Sequence, residues 1–598
     1  MQAIILAAGM GKRLGNLTQD NTKCMVKVNG VTLIERLLRQ LDELDAQRLN
    51  KIVIVTGYKG DKLRQYVSQL GIHTPIEYVD NPIYSSTNNI YSLWLAKDYL
   101  QSDDTLLFES DLIFDTSIIN KLLHHPYPSL CLVSKYESWM DGTVIKIGQD
   151  GEIDKFIPGT EFRYEEADSY YKTVNVYKFS QQFSSTHYVP FLEAYCKALG
   201  NNEYYEQVLR VITLLHKPEI KALPLNGEPW YEIDDIQDLD IAESIFCAED
   251  DKFSRIAERK GGYWRYPKML DFTSPANPFF PNERLKSELK SNFERLICAP
   301  PSSAAISNLL AGKLLKISQE LVLVGSNMAD AVCKQIKQND SRVICTAPPS
   351  HAPLSEYAGE TIAYTTEQTA ENIIASLKEK QVDYLYISRP DHIHGTELSK
   401  EEILKLSSWA SERGIHIIVD ETFLDISAMQ SDSTLIEQSL LQDYPSLIII
   451  KSLTESHGIP GLNIGILATG DQAWKSDFEQ YIEQGSINSL AEFYLQIVGK
   501  YEKHYRTSCR QYQEERNRVA EAINQTGVLH VTPGSGTALI CKAVPPHHSC
   551  SVVETLLIRN QILLGKAASS DLGEQLLISI KSPEENDRLI QALESLSA

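Results

Sequence analysis

The sequence predicts an α/β protein built from two domains in tandem, and three observations carry that expectation. Its 598 residues exceed what a single hydrophobic core serves. Short apolar runs alternate with amphipathic segments along its length. The alternation is interrupted near Glu249 to Arg265, where "EDDKFSRIAERKGGYWR" is charged and then glycine-rich. We therefore expect domains over 1–248 and 266–598, joined by a linker at 249–265.

In the first domain AIIL, KIVIVTG, TLLFESDLIF and SLCLVSKY read as buried strands. TLIERLLRQLDEL reads as a helix, because its Leu and Ile recur at helical spacing. In the second domain ELVLVG, RVICTA, DYLYIS, IHIIVDE and SLIIIKS read as buried strands between helical stretches such as EEILKLSSWASERG. That is the pattern of a mostly parallel central sheet.

An apolar fraction of 43% and a charged fraction of 23% belong to an ordinary globular chain, not a disordered one. A net charge of -22 argues against a general nucleic-acid binder, which needs a cationic surface to displace counterions, but leaves room for a local basic pocket. The ten cysteines form no CxxC pair and no Cys/His cluster, so reduced thiols are expected. No apolar run reaches the ~18 residues of a membrane span, and no leader segment is visible. The expectation is a cytoplasmic protein without membrane contact.

The stretch "AIILAAGMGKRLG" runs from a strand into glycines and then a Lys-Arg pair. A glycine turn between a strand and a helix lets backbone N–H groups approach a polyphosphate. It is not a Walker A loop, and it misses the dinucleotide fingerprint because Gly9 and Gly11 are followed by Gly15, one residue late. Lys12, Arg13 and Lys23 could surround a triphosphate, although each alone also fits a solvated surface position.

LAAGMGKRL followed by NTK resembles the nucleotidyltransferase family that makes NDP-sugars and CDP-alcohols, over about the first 245 residues; Thr22 departs from the family's usual Pro. The resemblance implies a Rossmann-like mixed sheet flanked by helices. It assigns nucleotide binding to Leu6, Ala7, Ala8, Gly9, Gly11, Lys12, Arg13, Lys23 and Asn88, and catalysis to Lys23, Arg13 and Asp111. It also implies Mg²⁺ on a pair of aspartates, Asp111 after "LLFES" and Asp234 in "PWYEIDDIQDLD". Two carboxylates with phosphate oxygens and water suit that ion, while the plainer alternative is that both aspartates cap strand-to-helix turns.

"NPIYSSTNNIYSLWLAKDYL", "YKTVNVYKFS" and "YEIDDIQDLD" resemble the phosphocholine cytidylyltransferase branch, which implies CTP. "SWMDGTVIKI", "KTVNVYKFS" and "NNEYYEQVL" resemble the enzymes that activate 2-aminoethylphosphonate for tailoring of surface glycans or lipids. The implied partners are CTP and a small zwitterionic phosphonate or phosphate acceptor. Asp141, Lys172, Asn175, Glu203, Glu206 and Trp139 are the implied acceptor residues. A primary ammonium has three donors and suits carboxylates, whereas a trimethylammonium favours an aromatic cage. Asp141, Glu203 and Glu206 offer the first, and Trp139, Tyr170, Tyr171 and Trp230 offer the second, so phosphocholine stays an alternative acceptor.

In the second half "MLDFTSPANPFFP", "VLVGSNMADAV", "DYLYISRPDHIHG", "IIVDETFLDIS" and "IIIKSLTESHGIPGLNIGILATG" resemble fold-type-I pyridoxal-phosphate enzymes of the histidinol-phosphate aminotransferase and threonine-phosphate decarboxylase group. On that resemblance the Schiff-base lysine falls on Glu455, which cannot condense with an aldehyde. The phosphate-binding arginine falls on Asn463, the asparagine facing the cofactor ring on His392, the following tyrosine on Phe423 and the carboxylate-binding arginine on Leu577. Asp420, Ser452 and Thr454 keep the family's residue types. Pyridoxal phosphate is therefore not expected, unless Lys451 replaces the missing lysine. A silent domain would serve as a homodimer scaffold or a phosphometabolite sensor; a bifunctional transferase and a nucleotide-binding scaffold stay open.

Overall fold

The computed structural model describes residues 1–44, 48–215, 219–345, 360–361, 369–391, 398–427, 433–482, 485–534, 536–566 and 575–597. The chain divides into two compact units, Met1–Pro267 and Lys268–Ala598. Both are α/β, as the alternation of runs predicts.

Unit 1 is built on a nine-stranded mixed sheet. Its parallel centre comprises β1 (Gln2–Ala7), β2 (Lys51–Thr56), β3 (Ile76–Asp80) and β4 (Thr105–Glu109). Strand β1 lies between β2 and β4, and β3 pairs with β2. The long β9 (Tyr171–Phe179) runs antiparallel beside β4 and carries the rest: β6 (Leu130–Lys135), β7 (Val144–Ile147), β8 (Ile153–Ile157) and β10 (Lys221–Pro224). Two short strands, β5 (Leu112–Phe114) and β11 (Trp230–Glu232), form a separate antiparallel pair.

The run AIIL is apolar throughout because the sheet is covered on both faces. Ala3, Ile5 and Ala7 of β1 enter one core and Ile4 and Leu6 the other, as period-two alternation requires. Helix α1 (Leu33–Asp42) closes the first core with Ile34, Leu37, Leu38 and Leu41, and the Thr32 hydroxyl accepts the Glu35 N–H at its N-terminus. Helix α3 (Asn89–Leu95) covers the opposite face with Ile90 and Leu93, while α2 (Gly60–Ser68) packs Leu63 and Val67 into the first.

The stretch expected as a linker at 249–265 is part of unit 1. Helix α5 (Ile236–Ile245) is followed by α6 (Glu249–Ala257), whose Ile256 is buried. Arg259 pairs with Asp240 at 2.6 Å, and the buried Tyr266 hydroxyl meets that of Ser244 at 2.7 Å. Charge on the outward face hides these anchors from a compositional reading.

Unit 2 holds a seven-stranded sheet of β12 (Val322–Gly325), β13 (Val343–Cys345), β14 (Glu360–Thr361), β15 (Tyr384–Ser388), β16 (His416–Asp420), β17 (Leu447–Ser452) and β18 (Gly465–Thr469). The order is β12-β18-β17-β16-β15-β13-β14, parallel except that β18 runs against both neighbours. Its faces are again both covered: Ile417 and Val419 enter one core, Ile418 the other.

Candidate functional site

Strands β1 and β4 are parallel and in register, with Leu6 opposite Glu109. The glycine loop after β1 and Asp111 after β4 therefore leave the same edge of the sheet, the carboxyl edge where α/β sheets bind ligands. Pairing of β11 with β5 sets Glu232 opposite Leu112, and the Ile233 N–H donates to the Asp111 carbonyl at 3.0 Å. That brings Asp234 beside Asp111 across more than a hundred residues of sequence.

The cap reading of the two aspartates does not hold. Asp235 caps α5, accepting from the Gln237 and Asp238 N–H groups, and Asp238 returns a bond to the Asp235 N–H. Asp234 stands one residue outside that box. Asp111 lies between two strands, with no helix to cap.

Lys23 joins them. Its Nζ donates to Asp111 Oδ2 at 2.5 Å and to Asp234 Oδ1 at 2.6 Å, and Arg13 Nη2 lies 2.8 Å from Asp234 Oδ2. Burial alone would lower the Lys23 pKa, but the two carboxylates outweigh it and raise it, so the ammonium is permanent. For Asp234 burial raises the pKa, and Lys23 and Arg13 bring it below the usual carboxylate value. Asp111 Oδ1 is buried and has no hydrogen-bond partner among the described residues. Two converging carboxylates with one oxygen unclaimed fit a Mg²⁺ that takes its other ligands from phosphates and water.

The glycine loop differs from expectation in one respect. It opens into a six-residue 3₁₀ segment, Lys12–Leu17, not an α-helix, because Gly15 at φ +55° and ψ −122° breaks the turn. An anion at this loop would therefore meet cations and loop N–H groups, not a helix dipole. Gly11 is required: its φ is +61°, and a Cβ would come 3.0 Å from Lys23 Cβ and Cγ. Thr22, at the family's proline position, adopts φ −71°, the angle proline would impose, and is fully buried.

Gly11, Arg13, Lys23, Asp111 and Asp234 line a cleft of about 410 Å³, together with Leu6, Ala8, Gly9, Lys12, Asn88, Asp141, Lys172, Asn175 and Glu206. Three expected residues lie elsewhere. Ala7 points into the core by strand alternation. Glu203 has an exposed side chain outside the cleft and contributes only its carbonyl, to the Ile90 N–H. Trp139 stacks on Tyr231 at 4.0 Å and donates its indole N–H to Glu137 at 2.7 Å. The other candidate cage aromatics, Tyr170, Tyr171 and Trp230, do not line the cleft either; its aromatic lining is Tyr84 and Tyr204.

The cleft adds carboxylates the sequence reading missed, Glu109 and Glu232. Each stands two residues before a metal-type aspartate, so strand alternation in "FESD" and "YEID" points to them. Asn89 Nδ2 donates to Glu109 Oε1 at 2.9 Å, and Asn175 Nδ2 to Glu232 Oε1 at 3.2 Å. Asn175 reaches in because a bulge in β9 sets it at φ +59°. Lys172 is buried, donates to the Thr173 carbonyl at 2.7 Å and lies 3.5 Å from Glu232. Burial pushes Glu232 up to about 7, with Lys172 opposing and Asp111 and Asp234 adding to the rise. Burial also raises Glu109, helped by Asp111, Glu206 and Glu232, and raises Glu206 despite Lys172. Glu206 Oε2 is buried with no hydrogen-bond partner among the described residues.

In unit 2, Lys451 is not placed to replace the missing lysine. Its Nζ donates to Asp425 Oδ1 at 2.7 Å inside the core, and Tyr505 closes the other Asp425 oxygen at 2.7 Å. Asp420 is buried and accepts the Tyr386 hydroxyl at 2.6 Å. Glu455 lies on a four-residue helix, Leu453–Ser456, and Asn463 is exposed at φ +48°. His392 falls outside the described residues.

Residues 268–593 match the model for aminotransferase class I and II. The chain belongs to that family. Ahead of the aminotransferase class I and II part, residues 3–147 match a MobA-like NTP transferase domain, so the protein is a fusion of the two. The CMP-5'-(3-aminopropyl)phosphonate synthase of Streptomyces rubellomurinus is 23% identical over 99% of this chain and 94% of its own. The CTP:phosphoglutamine cytidylyltransferase of Campylobacter jejuni is 28% identical and matches 40% of this chain and 98% of its own. A decarboxylase structure from Sulfurospirillum multivorans, 19% identical, covers 58% of this chain and 97% of its own at a TM-score of 0.50, which shares the aminotransferase-type fold. Among the described residues, no helix is long and apolar enough to cross a membrane.

Proposed function

We propose that unit 1 transfers CMP from CTP to a small zwitterion that joins a phosphonate or phosphate to a primary ammonium, and that 2-aminoethylphosphonate is the acceptor. One observation carries this: a cationic glycine loop and an Asp111–Lys23–Asp234 cluster share a single cleft with Glu109, Glu206 and Glu232. The first group suits a triphosphate, the second an amine. Poorly hydrated carboxylates gain most from a ligand that donates hydrogen bonds, and a primary ammonium offers three. A trimethylammonium offers none, and the aromatics expected to cage it lie in the core or away from the cleft.

In the reaction an acceptor oxygen attacks the α-phosphorus in line. The bond to the bridging oxygen breaks, and pyrophosphate leaves with the electron pair. Lys12, Arg13 and Lys23 neutralise the triphosphate and the departing charge, and Lys172 meets the acceptor's oxyanion. Asp111 and Asp234 would hold Mg²⁺, which supplies charge neutralisation at the phosphates. The Streptomyces relative is named for a phosphonate one methylene longer with the same two charges, which supports the acceptor class.

Pyrophosphate release from CTP and Mg²⁺ tests the reading, with 2-aminoethylphosphonate, 3-aminopropylphosphonate, phosphoethanolamine and phosphocholine as acceptors. A preference for 2-aminoethylphosphonate is expected. A preference for phosphocholine overturns the ammonium argument, and no release with any of them overturns the reaction class.

For unit 2 we propose a domain without turnover of its own that holds two chains together in the cytoplasm. Glu455 at the lysine position and Lys451 locked to Asp425 support the first part. A Schiff-base absorbance band abolished by borohydride would refute it, and a monomer in sedimentation would refute the second.

A further inference from the structure

The two aspartates fitted to a metal ion are already neutralised from within the chain. Of their four carboxylate oxygens, Asp111 Oδ2 and Asp234 Oδ1 accept from Lys23, and Asp234 Oδ2 faces Arg13. The fourth, Asp111 Oδ1, is buried. Magnesium sits about 2.0–2.1 Å from its oxygens. An ammonium 2.5 and 2.6 Å from two converging oxygens therefore stands where the ion would stand, and the two exclude each other.

Charge counting gives the consequence. Asp111, Asp234, Lys23 and Arg13 sum to zero, so a bare divalent cation would have to displace Lys23 from both carboxylates at once. A triphosphate changes this, because its oxygens supply the acceptors Lys23 gives up. The movement needed is short: Lys23 Cβ and Cγ pack against Gly11, so the side chain is rooted beside the loop that faces the phosphates.

We infer that Lys23 is the resident counter-ion of the metal site, and that it leaves the aspartates for the phosphates in the step that admits the cation. Metal and nucleotide then enter cooperatively, and neither aspartate takes up a free divalent ion beforehand. The inference rests on the nucleotide reading of the cleft. By linkage the coupling is reciprocal, so the cation also tightens the triphosphate.

Mn²⁺ bound to the full-length protein, read by water-proton relaxation with the protein-free Mn²⁺–CTP signal subtracted, tests it without turnover. The unaltered protein should show no enhancement with millimolar Mn²⁺ alone and a strong one when CTP is added. Lys23→Met should bind Mn²⁺ alone at least about tenfold more tightly than the unaltered protein. Adding Asp111→Asn should remove that gain. Equal Mn²⁺ affinity of the unaltered protein with and without CTP overturns the inference and leaves the nucleotide reading intact; this arm decides alone if Lys23→Met fails to fold. A folded Lys23→Met with no gain, or a gain surviving Asp111→Asn, also overturns it. No enhancement even with CTP removes the nucleotide reading, and the inference with it.

Discussion

Each unit holds a lysine in contact with aspartate, and the two pairs differ in what else reaches them. Lys23 bridges Asp111 and Asp234 on the wall of an open cleft, with one carboxylate oxygen left unclaimed. Lys451 and Asp425 have side chains only 7% and 5% exposed, and Tyr505 completes the aspartate. The first arrangement is neutral but exchangeable, so a ligand can compete for either partner. The second is enclosed, and its cost of desolvation is offset by mutual pairing and by the Tyr505 hydroxyl. On the proposed function the same two residue types thus serve chemistry in one unit and packing in the other, and access to solvent makes the difference.

Substitution should separate the two roles. Asp111→Asn keeps shape and removes the charge that would hold the triphosphate's cation on the proposed function; CMP transfer should then fall by at least about a hundredfold with the circular dichroism spectrum unchanged. Retained turnover would place Asp111 outside the chemistry. Lys451→Met should behave oppositely, leaving Asp425 buried and uncompensated. A loss of about 3–5 kcal/mol from the denaturant stability of unit 2 is expected, without change in the pyrophosphate-release rate of folded protein. A small stability change would mean that water reaches the pair.

Within the cleft a finer contrast is available. On the proposed function Glu206 serves the acceptor and not the triphosphate, so with Glu206→Gln the KM for an amine-bearing acceptor should rise about tenfold while the KM for CTP stays put. Equal change in both constants would make Glu206 a general support of the cleft.

How far the sequence reveals these roles depends on how local they are. The loop residues Gly9 to Arg13, Lys23 and the aspartates lie in short contiguous motifs, and their convergence follows from a parallel β1–β4 pair with register Leu6 to Glu109. Glu109 and Glu232 are legible from strand alternation, two residues before each aspartate. Trp139 and Glu203 sit in irregular segments, where no period fixes a direction, and both point away from the cleft. Lys451 and Asp425 lie 26 residues apart, and their contact appears only once β16 and β17 are known to be neighbours. The linker expected at 249–265 fails for a similar reason: the partners of Arg259 and Tyr266 lie on the preceding helix.

The closed pair in unit 2 also has a pH signature of its own, carried by a neighbouring histidine. His457 shares a 2.8 Å hydrogen bond with the Tyr494 hydroxyl, and its ring lies 4.0 Å from that of Tyr505. Burial pushes its pKa down to about 3, with Asp425 opposing and Lys451 adding to the fall. The folded state therefore keeps this histidine neutral, while the unfolded chain takes up a proton below about pH 6.5. Between pH 6.5 and about 3 the unfolded state binds more protons, so stability is greatest above that window and is lost as the pH falls through it. The slope should approach about 1.4 kcal/mol per pH unit from this one group. Urea midpoints of unit 2 at pH 7 and pH 5 measure it, and His457→Phe, which keeps an aromatic ring beside Tyr505, should flatten the dependence by that amount. An unchanged slope in the variant would mean that the acid sensitivity belongs to Asp425 and Lys451 instead, and that the pair is less closed than its burial indicates.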